Sequence, residues 1–147
     1  MLPSDFKCFA WDKIKLGIGR LIGREARQAV VGQWVESTFG RSSLTNLEER
    51  VTRVLEEAVE LAQSEGLSEE KAKDLVQYVY SRPKGDPAQE AAGVSICVLA
   101  YCWAKGFSAE VLEEVELERV LAIPASLFRL RHDRKIVAGV SAPREKE

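Results

Sequence analysis

The chain has 147 residues, of which 46% are hydrophobic and 30% are charged, and its net charge is −2. A chain of this length and composition fits one globular domain with a sizeable core, which excludes a disordered protein. The small net charge and the lack of a basic block argue against a large nucleic-acid interface.

The cysteines and the apolar runs indicate the compartment. Cys8, Cys97 and Cys102 are odd in number and match no metal spacing, so we interpret them as reduced thiols. Cys97 and Cys102 are expected to fill the core from one helix. No apolar run approaches the ~18 residues of a membrane-spanning helix, and the N-terminus lacks the pattern of a signal peptide. The sequence therefore predicts a cytoplasmic protein without a membrane or nucleic-acid partner.

Hydrophobic periodicity and helix-breaking residues predict an all-α fold. Residues 1–23 form an N-terminal extension, either a short helix and turn packed on the body or an arm exchanged with a partner, because three glycines interrupt its apolar residues. Residues 24–138 are expected to form one antiparallel bundle of four to six helices, completed by dimerisation, and residues 139–147 a polar tail. The helices are predicted over about 24–38, 44–64, 69–80, 87–105, 109–122 and 125–137.

The loop over residues 81–86 and the helix after it carry the clearest local signals. Asp86 is predicted to be the N-cap, Pro87 the first helical residue and Gln89 the third member of a capping box. The helix from Pro87 to about Lys105 is apolar on nearly all sides. We therefore expect it to be buried on several sides, as at the centre of a bundle or of a dimer.

Three carboxylates lie close together on the helix over about 44–64: Glu56, Glu57 and Glu60. Spacings of three and four residues place them within an arc of about 100° on a helix. This acidic motif is either half of a divalent-metal site or a solvated face with an Arg53–Glu57 ion pair. The helix alone favours the solvated face.

Glu90 shifts that balance towards a metal site. It lies at the start of the apolar helix over 87–105, where a carboxylate beside a core is costly unless it is paired or bound to metal. The helix dipole also favours an acid at that end, so a purely structural role is the alternative. Placed antiparallel to the motif helix, Glu90 would complete an oxygen cage with Glu57 and Glu60, and such a cage suits Mg²⁺ better than zinc.

The order of these motifs resembles the MazG-like all-α nucleoside triphosphate pyrophosphohydrolases. Glu56-Glu57-x-x-Glu60 is followed about thirty residues later by Glu90, which opens an apolar helix. The stretches 53–61 and 82–94 look like a phage and bacterial branch of that family. The resemblance covers roughly residues 28–102, is weaker to residue 121, and does not explain residues 1–23.

The resemblance implies a helical bundle that dimerises or assembles further. It implies Mg²⁺-dependent cleavage between the α- and β-phosphates of a nucleoside triphosphate, with Mn²⁺ as a substitute ion, to give a monophosphate and pyrophosphate. Glu57, Glu60 and Glu90 match the metal ligands, Glu57 being counted as catalytic too, and Glu56 matches a leading acid that is a ligand or positions the attacking water. The family usually has an aspartate three residues after Glu90, where this chain has Gly93.

Gly93 leaves two interpretations open: altered metal use, or a site that binds nucleotide without turnover. A glycine there also permits close approach of a helix or a ligand. We therefore carry three hypotheses: the pyrophosphohydrolase, a catalytically impaired helical dimer that binds nucleotide or a protein partner, and a purely structural bundle.

Several further residues are weaker candidates. Arg53, Arg82 and Lys84 are cationic residues that could bind phosphate oxygens, with plain surface roles as the alternative. Trp34 is expected to pack in the core rather than to stack on a base. His132, inside a basic run, is expected on an exposed helix surface.

Overall fold

The computed structural model describes residues 23–143, and within this range the chain is all-helical, with seven α-helices and no strand. The all-α prediction is confirmed for these residues. The interpretations of residues 1–22, of Cys8 and of residues 144–147 lie outside the described range. The helices are α1 (Arg24–Phe39), α2 (Arg41–Thr45), α3 (Leu47–Ser64), α4 (Glu69–Tyr80), α5 (Pro87–Lys105), α6 (Ala109–Ala122) and α7 (Ala125–Val137).

Local capping explains where the central helices begin. The Asp86 carboxylate accepts hydrogen bonds from the backbone N–H groups of Ala88 and Gln89 at 3.1 and 3.0 Å, so α5 begins where predicted. α3 begins later than predicted, because Asn46 is its cap and accepts from the Glu49 N–H at 3.1 Å. The residues directly before Asn46 form the short helix α2.

The described chain divides into two compact units, and α3 and α6 contribute to both. We call residues 23–58 and 114–143 the terminal unit, and residues 59–113 the middle unit. In the described range no single helix is both long enough and apolar enough to span a membrane; only a bent pair, α5 with α6, meets length and hydropathy together.

An aromatic cluster forms the centre of the terminal unit, where α1 packs against α2 and α7. Trp34 meets Phe39 and Phe128 edge to face, with ring centroids 5.9 and 5.1 Å apart. The Arg129 guanidinium donates to the backbone oxygen of Thr38 at 3.2 Å and closes the cluster on one side. Trp34 is half-buried and packs against other aromatic rings of the chain, which agrees in part with the prediction of a core position.

His132 is buried, with only 7% of its surface exposed, so the prediction that it lies on an exposed helix face is wrong. Its ring packs beside Phe39, with centroids 5.6 Å apart. Its Nδ1 lies 3.7 Å from Glu49 Oε1 and 3.5 Å from the Ser141 hydroxyl. The basic run around His132 predicted a solvated position. It contained no information on Glu49 and Ser141, the distant residues whose polar groups lie beside the buried ring.

The middle unit is largely exposed, so the prediction that α5 is buried on several sides is wrong for the single chain. Ile96 and Trp103 are 63% and 89% exposed, and Cys102 is the one buried residue of α5. The interpretation of the cysteines as core filler therefore holds for Cys102 and fails for Cys97, which is exposed. The cause is that the other described helices cover little of the apolar surface of α5.

A polar cluster joins the end of α5 to Glu65, the residue that follows α3. The Tyr101 hydroxyl donates to Glu65 Oε1 at 2.7 Å, and Lys105 Nζ lies 3.0 Å from the same oxygen. The hydrogen bond from Tyr101, followed by that from Lys105, lowers the pKa of the Glu65 carboxyl. The same bond raises the pKa of the Tyr101 phenol.

Replacing Glu49 tests the polar packing of the terminal unit. We expect Glu49→Ala to lower the free energy of unfolding by about 2–3 kcal/mol, because the buried His132 and the half-buried Ser141 and Arg53 lose the carboxylate that they share. Glu48→Ala is the matched control: its carboxylate is exposed on the same turn, and the expected loss is below about 0.5 kcal/mol. Urea unfolding of both variants measures the difference. Equal losses would show that the Glu49 network does not stabilise the fold.

Candidate functional site

The acidic motif lies on one unbroken helix, since α3 runs from Leu47 to Ser64. Glu56 is half-buried, whereas Glu57 and Glu60 are exposed. Glu57 and Glu60 are three residues apart and so occupy neighbouring positions on one helix face. On α3, the carboxylates of Glu57 and Glu60 are therefore exposed on adjacent turns, whereas Glu56 is half-buried.

Glu56 is engaged by two cationic side chains. Its Oε2 accepts a hydrogen bond from Arg53 Nη1, one turn before it on α3, and another from Lys135 Nζ at 2.8 Å. Lys135 lies on α7 and is 79 residues away in sequence. Local patterning cannot reveal such a partner, and sequence reasoning did not identify Lys135.

Arg53 is directed towards the beginning of α3 and the C-terminal segment. Its Nε lies 3.5 Å from Glu49 Oε1, and its Nη2 donates to the backbone oxygen of Val140 at 2.9 Å. Nη1 and Nη2 thus donate to Glu56 and Val140, whereas Nε lies within ion-pair distance of Glu49 without a hydrogen bond. The sequence suggested an Arg53–Glu57 pair as the alternative to a metal site; the structure pairs Arg53 with Glu49 and Glu56 instead.

Glu57 lies in the electrostatic neighbourhood of a second cation that the sequence did not single out. Arg119 donates hydrogen bonds to Glu116, with 2.7 Å between Arg119 Nε and Glu116 Oε2, and these bonds are the main reason why the pKa of the Arg119 guanidinium is raised. The charge of Glu57 raises that pKa further. Arg119 is on α6 and is bound to Glu116 one turn before it.

Glu90 lies in the first turn of α5 and folds back over the preceding loop. A methyl group at Gly85 would overlap Glu90 Oε1, so glycine at this position leaves room for the carboxylate. Glu90 is exposed. The loop and the first turn of α5 thus hold an acid close to the surface.

Gly93 lies one turn after Glu90 on α5. A Cβ built at Gly93 meets no atom within 4 Å. Position 93 therefore has room for a longer side chain, and no close neighbour in the described structure requires glycine.

The loop cations have ordinary surface surroundings. The Arg82 guanidinium lies over the ring of Tyr78, 5.5 Å from its centroid. Lys84 is exposed two residues later. Of the site residues predicted from sequence, the terminal unit holds Arg53, Glu56 and Glu57, and the middle unit holds Glu60, Arg82, Lys84 and Glu90.

The acids fit a divalent cation in the kind of ligand they supply. Carboxylate oxygens suit Mg²⁺, which is often held by one or two carboxylates and completed by water and substrate phosphates. Within residues 23–143 no group of three or more His, Cys, Asp or Glu side chains is arranged to hold a metal ion. On α3, Glu57 and Glu60 thus supply an oxygen pair rather than a complete site.

A separate polar pocket of about 560 Å³ opens at the beginning of α3. Its floor includes the buried side chains of Glu49 and His132, and its walls come from α2, Asn46 and residues 142–143. Its size is within the range of small-molecule sites. Sequence reasoning did not identify it, because its members are far apart along the chain.

The chain matches no protein-family model, no curated protein and no solved structure.

Proposed function

We propose that the protein is a Mg²⁺-dependent nucleotide pyrophosphohydrolase of the MazG-like type, acting in the cytoplasm on a free nucleoside triphosphate. The observation that carries the proposal is the exposed pair Glu57 and Glu60 on adjacent turns of α3. Glu90 supports the proposal, because it lies in the first turn of α5, directly after the loop that ends at the N-cap Asp86, as the order of the motifs predicts. The products would be a nucleoside monophosphate and pyrophosphate.

The residues divide into acids that hold an ion and cations that hold phosphate. Glu57, Glu60 and Glu90 would bind the metal, with Mn²⁺ able to replace Mg²⁺. A bound divalent ion neutralises phosphate charge and activates a water for attack. Arg82 and Lys84, both exposed, are the candidate phosphate ligands. To act as a further ligand or to position the water, Glu56 would have to exchange its bonds to Arg53 and Lys135.

A second copy of the chain is the proposed partner for the middle unit, giving a homodimer or a larger assembly. Ile96, Trp103 and Tyr80 are each more than half exposed, and further apolar residues of α4 and α5 are exposed as well. A stable interface uses roughly 800 Å² per partner, and exposed apolar side chains are what its core requires. A two-fold contact would let each copy cover the other with the same surface.

Gly93 favours a second candidate function, a helical dimer that binds nucleotide or a protein partner without turnover. With glycine at position 93, the second motif offers Glu90 alone where the related family usually offers two acids. Fewer carboxylates weaken cation binding and leave more of the phosphate charge unneutralised. The space around Gly93 makes this alternative testable by restoring the acid.

The first prediction concerns metal-dependent turnover. We expect pyrophosphate release from nucleoside triphosphates only with Mg²⁺ or Mn²⁺, and a loss on the order of 100-fold or more in Glu57→Ala, because even the outer partners of a metal site contribute 10–100-fold. Glu48→Ala, an exposed acid on the same helix, should keep the wild-type rate. A pyrophosphate assay over a panel of canonical and modified nucleotides provides the measurement. A folded wild type that is inactive on the whole panel would contradict the proposal.

Restoring the missing acid separates the two candidate functions. We expect Gly93→Asp to tighten Mn²⁺ binding by about tenfold, because a carboxylate one turn after Glu90 adds an oxygen ligand. Ala92→Asp adds the same charge on a different helix face and should have a smaller effect. Calorimetric titration with Mn²⁺ gives both affinities, and a parallel assay reports turnover. New turnover only in Gly93→Asp would favour the impaired dimer for the wild type; unchanged Mn²⁺ affinity would show that position 93 does not face the ion.

The proposed self-association can be tested at the exposed surface of α5. Wild-type protein should sediment as a dimer or larger, and Ile96→Glu should sediment as a monomer, because it would bury a charge in an apolar interface. Lys71→Glu, an exposed polar position on α4, is the control and should leave the assembly intact. Sedimentation velocity at micromolar concentration distinguishes the species. A monomeric wild type would exclude this interface.

A further inference from the structure

Lys135 makes a contact that neither the acidic motif nor its family resemblance assigns. Its Nζ lies 2.8 Å from Glu56 Oε2, and both side chains are largely withdrawn from water, with 34% and 26% of their surfaces exposed. Partial burial strengthens such a pair relative to one on the open surface. Glu56 is thus held by a cation from another helix, directly beside the exposed Glu57.

The surrounding packing fixes the position of Lys135. The chain beyond α7 returns to α3, where the Val140 oxygen accepts from Arg53 at 2.9 Å and the Ser141 hydroxyl donates to Glu49 Oε2 at 3.0 Å. These bonds hold the end of α7 along the first half of α3. The amine therefore meets Glu56 at the end of an anchored helix, whereas a lysine on an isolated surface would sample many rotamers.

The contact changes the charge that a cation at Glu57 and Glu60 would experience. Without it, Glu56 would keep only its bond to Arg53 and would lie on the same arc of α3 as a third carboxylate. Mg²⁺ sites for phosphate chemistry usually use few protein carboxylates and leave positions for water and phosphate oxygens. Occupying Glu56 with Lys135 keeps one acid out of the ligand set.

We propose that Lys135 is a positioning residue that withholds Glu56 from the divalent cation bound by Glu57 and Glu60, and so weakens and tunes that site. The inference rests on the proposed metal-dependent function. It predicts that removing the lysine charge tightens ion binding, the opposite of the effect expected from damage to the fold.

The test measures Mn²⁺ binding to the full chain by electron paramagnetic resonance, without nucleotide. We expect Lys135→Met and Lys135→Gln to bind Mn²⁺ roughly 3- to 10-fold more tightly than wild type, since each removes a nearby positive charge and leaves Glu56 with Arg53 as its cationic partner. Lys135→Arg keeps the charge and should bind as wild type does. The double variant Glu56→Gln/Lys135→Met removes both charges and should also return to the wild-type affinity.

The outcomes distinguish this inference from the proposed function. If wild type binds Mn²⁺ and the folded variants Lys135→Met and Lys135→Gln bind it equally or more weakly, the role of Lys135 is overturned. The proposed metal site is not affected by that result. Binding in those variants but not in wild type would support the role of Lys135 and count against a working wild-type site. An absence of binding in all of them would overturn both proposals. Circular dichroism confirms which variants are folded.

Discussion

The terminal unit depends on the buried carboxylate of Glu49. Only 5% of this residue is exposed, and its oxygens are within reach of the Ser141 hydroxyl, the His132 ring and the Arg53 guanidinium. A carboxylate without such partners would be strongly disfavoured in this position. Because these partners come from α3, α7 and the segment after α7, the requirement to satisfy one buried charge determines how three parts of the chain pack.

The two units differ in the contacts that their side chains make. The terminal unit has an aromatic cluster and a network of paired charges, although apolar residues such as Leu47 and Val137 are exposed there too. The middle unit has well-formed helices whose apolar residues remain exposed. Helices of good intrinsic pattern can form with little burial, but an apolar surface of this extent is unusual for a protein that works alone. This contrast is the physical reason for proposing a second copy at the middle unit.

Sequence reasoning was accurate where the determinants are local. Asp86, Ser68 and the glycine after α5 define helix ends through bonds that span two to five residues, and α4 to α7 begin and end where the pattern predicts. It failed where the determinant is a distant residue. The burial of His132 depends on Glu49 and on Ser141, which is bonded to Glu49 across 92 positions, and no periodicity encodes that contact.

The exposure of α5 has a different cause. An all-round apolar pattern shows that a helix requires burial somewhere, but it does not say whether the covering surface belongs to the same chain. The prediction offered the centre of a bundle or of a dimer, and the described helices leave Ile96 and Trp103 exposed. The bundle centre is therefore wrong for the single chain, and the dimer centre stays a prediction.

The acidic motif shows why adjacent residues with the same chemistry need not share a role. Successive side chains on a helix diverge by about 100°, so Glu56 and Glu57 face different neighbours. Glu56 meets Lys135 and Arg53 in a half-buried setting, whereas Glu57 is exposed and Glu60 follows it one turn later. In a sequence the three acids have equal standing as ligands. In the fold, Lys135 of α7 and Arg53 pair with the first of them in a half-buried setting, whereas Glu57 and Glu60 are exposed.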